Sequence, residues 1–173
     1  AQMRRTEYLE SCPETMHEIL DTVRWGTLAL AGQDGWPLVR PMNFARVGDQ
    51  LFLLEGADVV ARDMAGIEQW RWSGPAPLTA LDASAEAIAV GDQDGRLTVL
   101  RPDGAEVAHV AAHDRRVSDV QIRGQTVFTA SWDGTARRWG LDATDHAAGE
   151  LAQEVGAPWG LAGDEALADA AGI

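Results

Sequence analysis

Lysine is absent from this 173-residue chain, and all fourteen of its basic side chains are arginine. That excludes a Walker-type phosphate loop, a lysine Schiff base and a Ser-Lys nucleophile together. Cysteine is reduced to Cys12, which cannot form a disulfide within the chain. No apolar run approaches the ~18 residues of a membrane span. The opening AQMRRTEYLESC lacks the apolar stretch of a signal peptide, so the expectation is a reducing, cytoplasmic setting without a membrane. Positive charge is scarce too: 14 basic against 27 acidic residues leave a net charge of −13 and a pI near 4.5. Such a surface does not displace counterions from nucleic acid or an anionic bilayer, and its ordinary role is solubility. HExxH and Cys-x-x-Cys motifs are missing, and His17, His109, His113 and His146 are scattered, so no metal site is expected.

What is present begins with apolar content of 46%, enough for a packed core in one domain or two small ones. The most informative stretch is Thr126 to Leu141, TVFTASWDGTARRWGL. β-branched and aromatic residues lead into Asp133-Gly134 and resume at Thr135, the pattern of two strands and a tight turn. The segment from Leu78 to Asp103 repeats that from Val117 to Asp142 without gaps, at an offset of 39 residues. Leu81 meets Val120, Ile88 meets Val127, and Asp94-Gly95 meets Asp133-Gly134. A period near 40 with four strands per unit is that of a β-propeller. The strands expected are Leu78 to Ala83, Ala87 to Gly91, Leu97 to Arg101 and Glu106 to Ala111, with a weaker partial unit from Gln50 to Trp72. Gly91 to Gly95 lacks the alternating ligands and final Glu of a calcium loop and reads as a turn. Trp70 and Trp72 lie on one side of a strand, where they pack in a core or line an exposed surface.

The order of hydroxyl, Asp-Gly and late Trp, with His113 upstream, resembles WD40 blades. The resemblance implies a buried hydrogen-bond relay of His113, Thr129 (or Ser131), Asp133 and Trp139 that braces a blade. An imidazole can donate through one nitrogen and accept through the other, which suits that role. The set is read as structural rather than catalytic, because no Gly-x-Ser-x-Gly elbow or oxyanion feature accompanies it.

The first third follows another pattern. Thr6 to Val23 has helical spacing, and Thr27 to Ala31, Trp36 to Phe44 and Gln50 to Leu54 read as a β-meander. Gly26-Thr27-Leu28-Ala29, Asp34-Gly35-Trp36-Pro37 and Arg40-Pro41-Met42-Asn43-Phe44 resemble the start of pyridoxamine-phosphate-oxidase-like split-barrel proteins over residues 4–57. That resemblance implies FMN near Arg40, Met42 and Asn43. Where such families continue to a Gly-x-Lys phosphate segment, this chain has Leu53-Leu54-Glu55-Gly56-Ala57.

The expected architecture is mainly β. Residues 1–49 form a helix plus a split-barrel-like meander, and residues 50–142 form antiparallel WD40-like blades, as an incomplete propeller or an open or oligomeric sheet assembly. Residues 143–173 form a short helical tail, with helices over His146 to Val155 and Gly163 to Ala171. Two to three blades fall short of the ~4–8 that close a propeller, so open sheet edges invite a protein partner or self-association. The expected function is a non-catalytic interaction or scaffold module, without cofactor, recognising through Arg115, Arg116, Asp92 and Gln93. The alternatives are an FMN-binding split-barrel oxidoreductase-like protein and a chimera of two family fragments with no dedicated activity.

Overall fold

A computed structural model describes residues 25–31, 37–141 and 147–151, together with Thr15, Glu18 and Asp21, which are helical. Thirteen strands follow one another: β1 (Trp25–Ala31), β2 (Pro37–Val47), β3 (Gln50–Glu55), β4 (Asp58–Asp63), β5 (Glu68–Ser73), β6 (Leu78–Ala83), β7 (Ile88–Asp92), β8 (Arg96–Leu100), β9 (Glu106–Ala111), β10 (Val117–Arg123), β11 (Thr126–Ser131), β12 (Ala136–Gly140) and β13 (Ala147–Leu151). They form three antiparallel meanders, β1 to β5, β6 to β9 and β10 to β13, each with its strands in chain order. Glycines at positive φ make the tight connections: Gly48, Gly56 and Gly124 each open a two-residue hairpin, closed by the pairs Val47↔Gln50, Glu55↔Asp58 and Arg123↔Thr126.

The sheets stack face to face. Phe52, Leu54, Val59 and Ala61 of the first meet Leu81, Ile88, Val90 and Leu100 of the second. The opposite face of the second sheet presents Ala80, Ala89, Leu97 and Val99 to Val117, Val120, Ile122, Val127 and Trp139 of the third. The middle sheet is therefore covered on both sides. This explains why all five residues of β7 are buried, whereas the outermost strands β5 and β9 alternate between exposed and half-buried. The expected repeat is structural down to its irregularities: the register shift between Leu78 and Ala80 recurs 39 residues later between Val117 and Asp119. The arrangement is an incomplete stack of β-propeller-like blades.

Specific bonds tie one sheet to the next. Asn43 Nδ2 donates to Thr79 O at 2.9 Å, Thr79 Oγ1 to Val117 O at 2.5 Å, and Ile122 N to Asp82 Oδ2 at 2.7 Å. Trp70 and Trp72 do not line an open surface. Both are half-buried against the second sheet, their indole N–H groups donating to Pro102 O (3.0 Å) and Glu106 Oε2 (3.2 Å). The Trp70 ring fills the space above Gly104 and packs, tilted, at 5.8 Å from Phe52.

Two expectations change. The helix over His146 to Val155 is replaced across its centre by β13, which pairs with β12 from Ala136↔Leu151 to Trp139↔Ala147. Gly149 costs a helix about 1 kcal/mol, and the free edge of β12 offers backbone partners that a short helix forgoes. The expected break between residues 49 and 50 falls in a hairpin inside one sheet, because β2 is long enough to pair with β1 through Pro37 to Asn43 and with β3 through Phe44 to Val47. The partial unit from Gln50 to Trp72 thereby gains β2 as its first strand. The tight turn expected at Asp133-Gly134 is present, and its loop is closed by Ser131 N donating to Thr135 O beyond the last strand pair Ala130↔Ala136. The helix expected over Thr6 to Val23 is described only at its three helical residues, of which Asp21 ion-pairs with Arg46 at 2.7 Å. The helix expected over Gly163 to Ala171 lies outside the described residues.

The close approach of the third sheet to Gly91 gives a test. A Cβ on Gly91 would sit 2.4 Å from Val117 Cγ1. Gly91→Ala is expected to cost about 1–3 kcal/mol by overpacking, and Val117→Ala in the same chain to recover part of that loss, measured by urea denaturation. Strict additivity of the two substitutions would place the contact elsewhere.

Candidate functional site

The loops β3–β4, β5–β6, β7–β8, β9–β10 and β11–β12 gather at one end of the stack, and the residues of interest lie there. His113 follows β9, its amide donating to Gly95 O at 2.8 Å. Gly95 has φ +86°, and a Cβ there would lie 2.1 Å from His113 O, so glycine is required for this approach. The imidazole is fully buried. Its Nδ1 lies 2.9 Å from Asp133 Oδ2 and 3.0 Å from Thr135 Oγ1, and its Nε2 lies 2.7 Å from Thr129 Oγ1. Trp139 Nε1 donates to Thr129 Oγ1 at 3.0 Å. The pattern assigns one chain of protons: indole N–H to hydroxyl, hydroxyl to Nε2, and Nδ1–H to carboxylate. Thr135 adds its backbone N–H (2.9 Å) and hydroxyl (2.7 Å) to Asp133 Oδ1, and Asp114 N donates to Oδ2 at 3.2 Å.

The sequence left Thr129 and Ser131 as alternatives for the hydroxyl. Thr129 meets the histidine, while Ser131 Oγ donates to Arg115 O and accepts from Asp133 N, tying two loops together. Thr135 was not singled out; the signal was the hydroxyl immediately after Asp-Gly, placed to close an Asx turn.

Burial pushes the His113 pKa below its ordinary value, outweighing the opposing pull of the Asp133 carboxylate. Burial also acts to raise Asp133, but donors from Thr135, Asp114 and His113 together hold it down at about 2. Near neutral pH the pair is a neutral imidazole and a carboxylate. Thr129, at 0% exposure, presents no hydroxyl to a substrate. The set has the residue types of a triad, with the hydroxyl sealed inside the core.

The same end carries an open cleft of about 320 Å³ lined by Met42, Asn43, Leu54, Gly56, Leu78, Thr79 and Arg116. Met42 and Asn43 thus lie in one cleft, with the Asn43 amide bonded to Thr79 O. Arg40 sits on β2 opposite Leu28 of β1. Of the expected recognition residues, Arg115, Arg116 and Gln93 are exposed. Asp92 is not: it is buried, and its Oδ1 accepts from Asp94 N and Arg96 N at 2.9 Å, so the carboxylate shapes its own turn. Trp132, which the strand pattern had absorbed, stands 56% exposed with the Arg116 guanidinium 5.1 Å from its ring centre. His109 is exposed beside Glu106 and does not converge with His113. Among the described residues no group of three His, Cys, Asp or Glu side chains is placed to hold a metal, and no helix is long and apolar enough to cross a membrane.

Thr129→Val keeps the shape and removes the hydroxyl, leaving the imidazole and indole nitrogens unpaired; it is expected to cost about 2–4 kcal/mol, and Thr129→Ser about 1 or less. Acid adds a second measurable effect. A His113 pKa below 6.5 in the folded state means that the unfolded chain binds more protons, so stability falls as pH drops through and below 6.5. Asp133 gives a further loss from 3.8 down to about 2. Urea midpoints at a series of pH values check both windows, and a flat profile through the first window would contradict the histidine assignment.

A β-propeller protein family matches residues 42–112. An uncharacterized protein of Treponema pallidum (strain Nichols) is 38% identical over 58 residues, which is 32% of this chain and 15% of that protein; the chain thus matches a small part of that relative's length. Among solved structures, the computationally designed Ika8 protein aligns with a TM-score of 0.58 at 16% identity, covering 72% of this chain and 45% of Ika8. The computationally designed Ika4 protein aligns with a TM-score of 0.57 at 18% identity, covering 69% of this chain and 87% of Ika4. At those identities the likeness is one of fold. Fold and family match together make the chain β-propeller-like.

Proposed function

We propose that the chain is a non-catalytic protein-interaction module built from WD40-like blades. The relay of Thr129, His113, Asp133 and Trp139 then acts as a structural brace. One observation carries this reading: the reactive-looking side chains are sealed inside the third blade, while the loops at the same end present Trp132, Arg115, Arg116 and Gln93 to solvent. Rigid sheets that position exposed loop side chains suit recognition better than turnover. The described residues form three sheets whose outer edges are open, which supports pairing of those edges with a protein partner or a second copy.

The reading is tested by selection from a random peptide display library. The wild-type chain is expected to enrich a consensus sequence, and Trp132→Ala and Arg115→Ala, both at exposed positions, to lose it while the fold persists by circular dichroism. No enrichment by the wild type would overturn the interaction reading. Flavin absorbance with added FMN is expected to stay unshifted, since the Asn43 amide is already committed to Thr79 O and the chain has no lysine for the phosphate. A shifted spectrum would favour the split-barrel alternative.

A further inference from the structure

The cleft at the loop end has a definite chemical character. Leu54, Leu78 and Met42 give it an apolar side, Asn43, Thr79 and Gly56 a polar one, and Arg116 a cation. Its volume of about 320 Å³ suits one or two side chains of an extended peptide rather than a folded surface. Arg116 is restrained from one side by the face of Trp132 at 5.1 Å. A guanidinium stacked in that way keeps its N–H edge available and loses less freedom when a carboxylate docks on it.

The charges around the cleft are distributed in its favour. Arg96, Arg115 and Arg116 are exposed and carry no ion pair among the described residues. Most acids at this end are already engaged: Glu55 is held by Arg62 and Arg71, Asp92 by its own turn, and Asp133 by the relay. Asp94 and Asp114 remain exposed. A chain of net charge −13 thus places on this cleft an arginine, Arg116, that carries no ion pair among the described residues, with Arg96 and Arg115 exposed in the loops of the same end.

We propose that this cleft binds an acidic peptide segment, Arg116 receiving a carboxylate and Leu54, Leu78 and Met42 receiving the neighbouring aliphatic side chain. The proposal rests on the interaction-module reading and specifies its ligand. A polynucleotide is the poorer fit, because its many phosphates would meet the acidic remainder of the chain.

Fluorescence anisotropy of terminally blocked, labelled peptides alternating Glu and Leu, Gln and Leu, or Lys and Leu provides the test, with a single-stranded oligonucleotide as a fourth probe. The Glu–Leu peptide is expected to bind about tenfold or more tightly than its Gln–Leu counterpart, the scale of one lost charge-assisted hydrogen bond. Arg116→Gln is expected to lose about the same factor, and Arg138→Gln, an equal charge change at an exposed position of β12, to change little. Equal binding of the Glu–Leu and Gln–Leu peptides, absence of binding by all peptides, preference for the Lys–Leu peptide or the oligonucleotide, or equal effects of the two substitutions would each overturn the proposal. Enrichment of non-acidic sequences in the display selection would overturn it while leaving the interaction module standing.

Discussion

A β-sheet has two faces, and a sheet of four short strands cannot bury either of them alone. The stack meets that constraint by making each sheet part of its neighbour's core. Ile88 and Val90 serve the interface with the first sheet, while Ala89 between them serves the interface with the third. Side-chain alternation along one strand thus feeds two cores at once, and small residues on one face let the sheets approach. Gly91 marks the limit of that economy, since the side chain of Val117 occupies the place its Cβ would take.

Apolar contact is not directional, so it does not fix how one sheet sits on the next. The polar ties supply that information. Asn43, Thr79 and Asp82 each bond to the backbone of the following sheet, which pins the relative height of the inner strands. The relay from Trp139 through Thr129 and His113 to Asp133 does the same inside the third sheet, joining β11, β12 and the loop that enters β10. Every member has a partner, so burying the imidazole stabilises a single arrangement; an unpaired nitrogen in the same place would destabilise it.

Much of the fold was legible. Strand positions from β3 to β12 follow from Gly and Asp turns and alternating apolar residues, and the period of 39 predicted matching units. The relay was also legible through the resemblance, because its residues sit at fixed distances from one Asp-Gly turn. What failed had non-local causes. The Ala-rich segment from Ala147 to Leu151 has no strand preference of its own and is strand because β12 has an edge to fill. β2 read as part of a separate meander because sequence does not reveal that one strand pairs with different partners along its length. Asp92 looked like a surface ligand-binder because a side chain that bonds its own turn has the same sequence signature as one that does not.

The account therefore rests on mutual stabilisation of neighbouring sheets. Native-state hydrogen exchange in rising denaturant tests it most directly, through the amide of Ile122, bonded across the interface to Asp82, and the amides of β7 in the middle sheet. The account predicts that both exchange through one opening of equal free energy. Exchange of Ile122 through a separate, much easier opening, with β7 still protected, would contradict it.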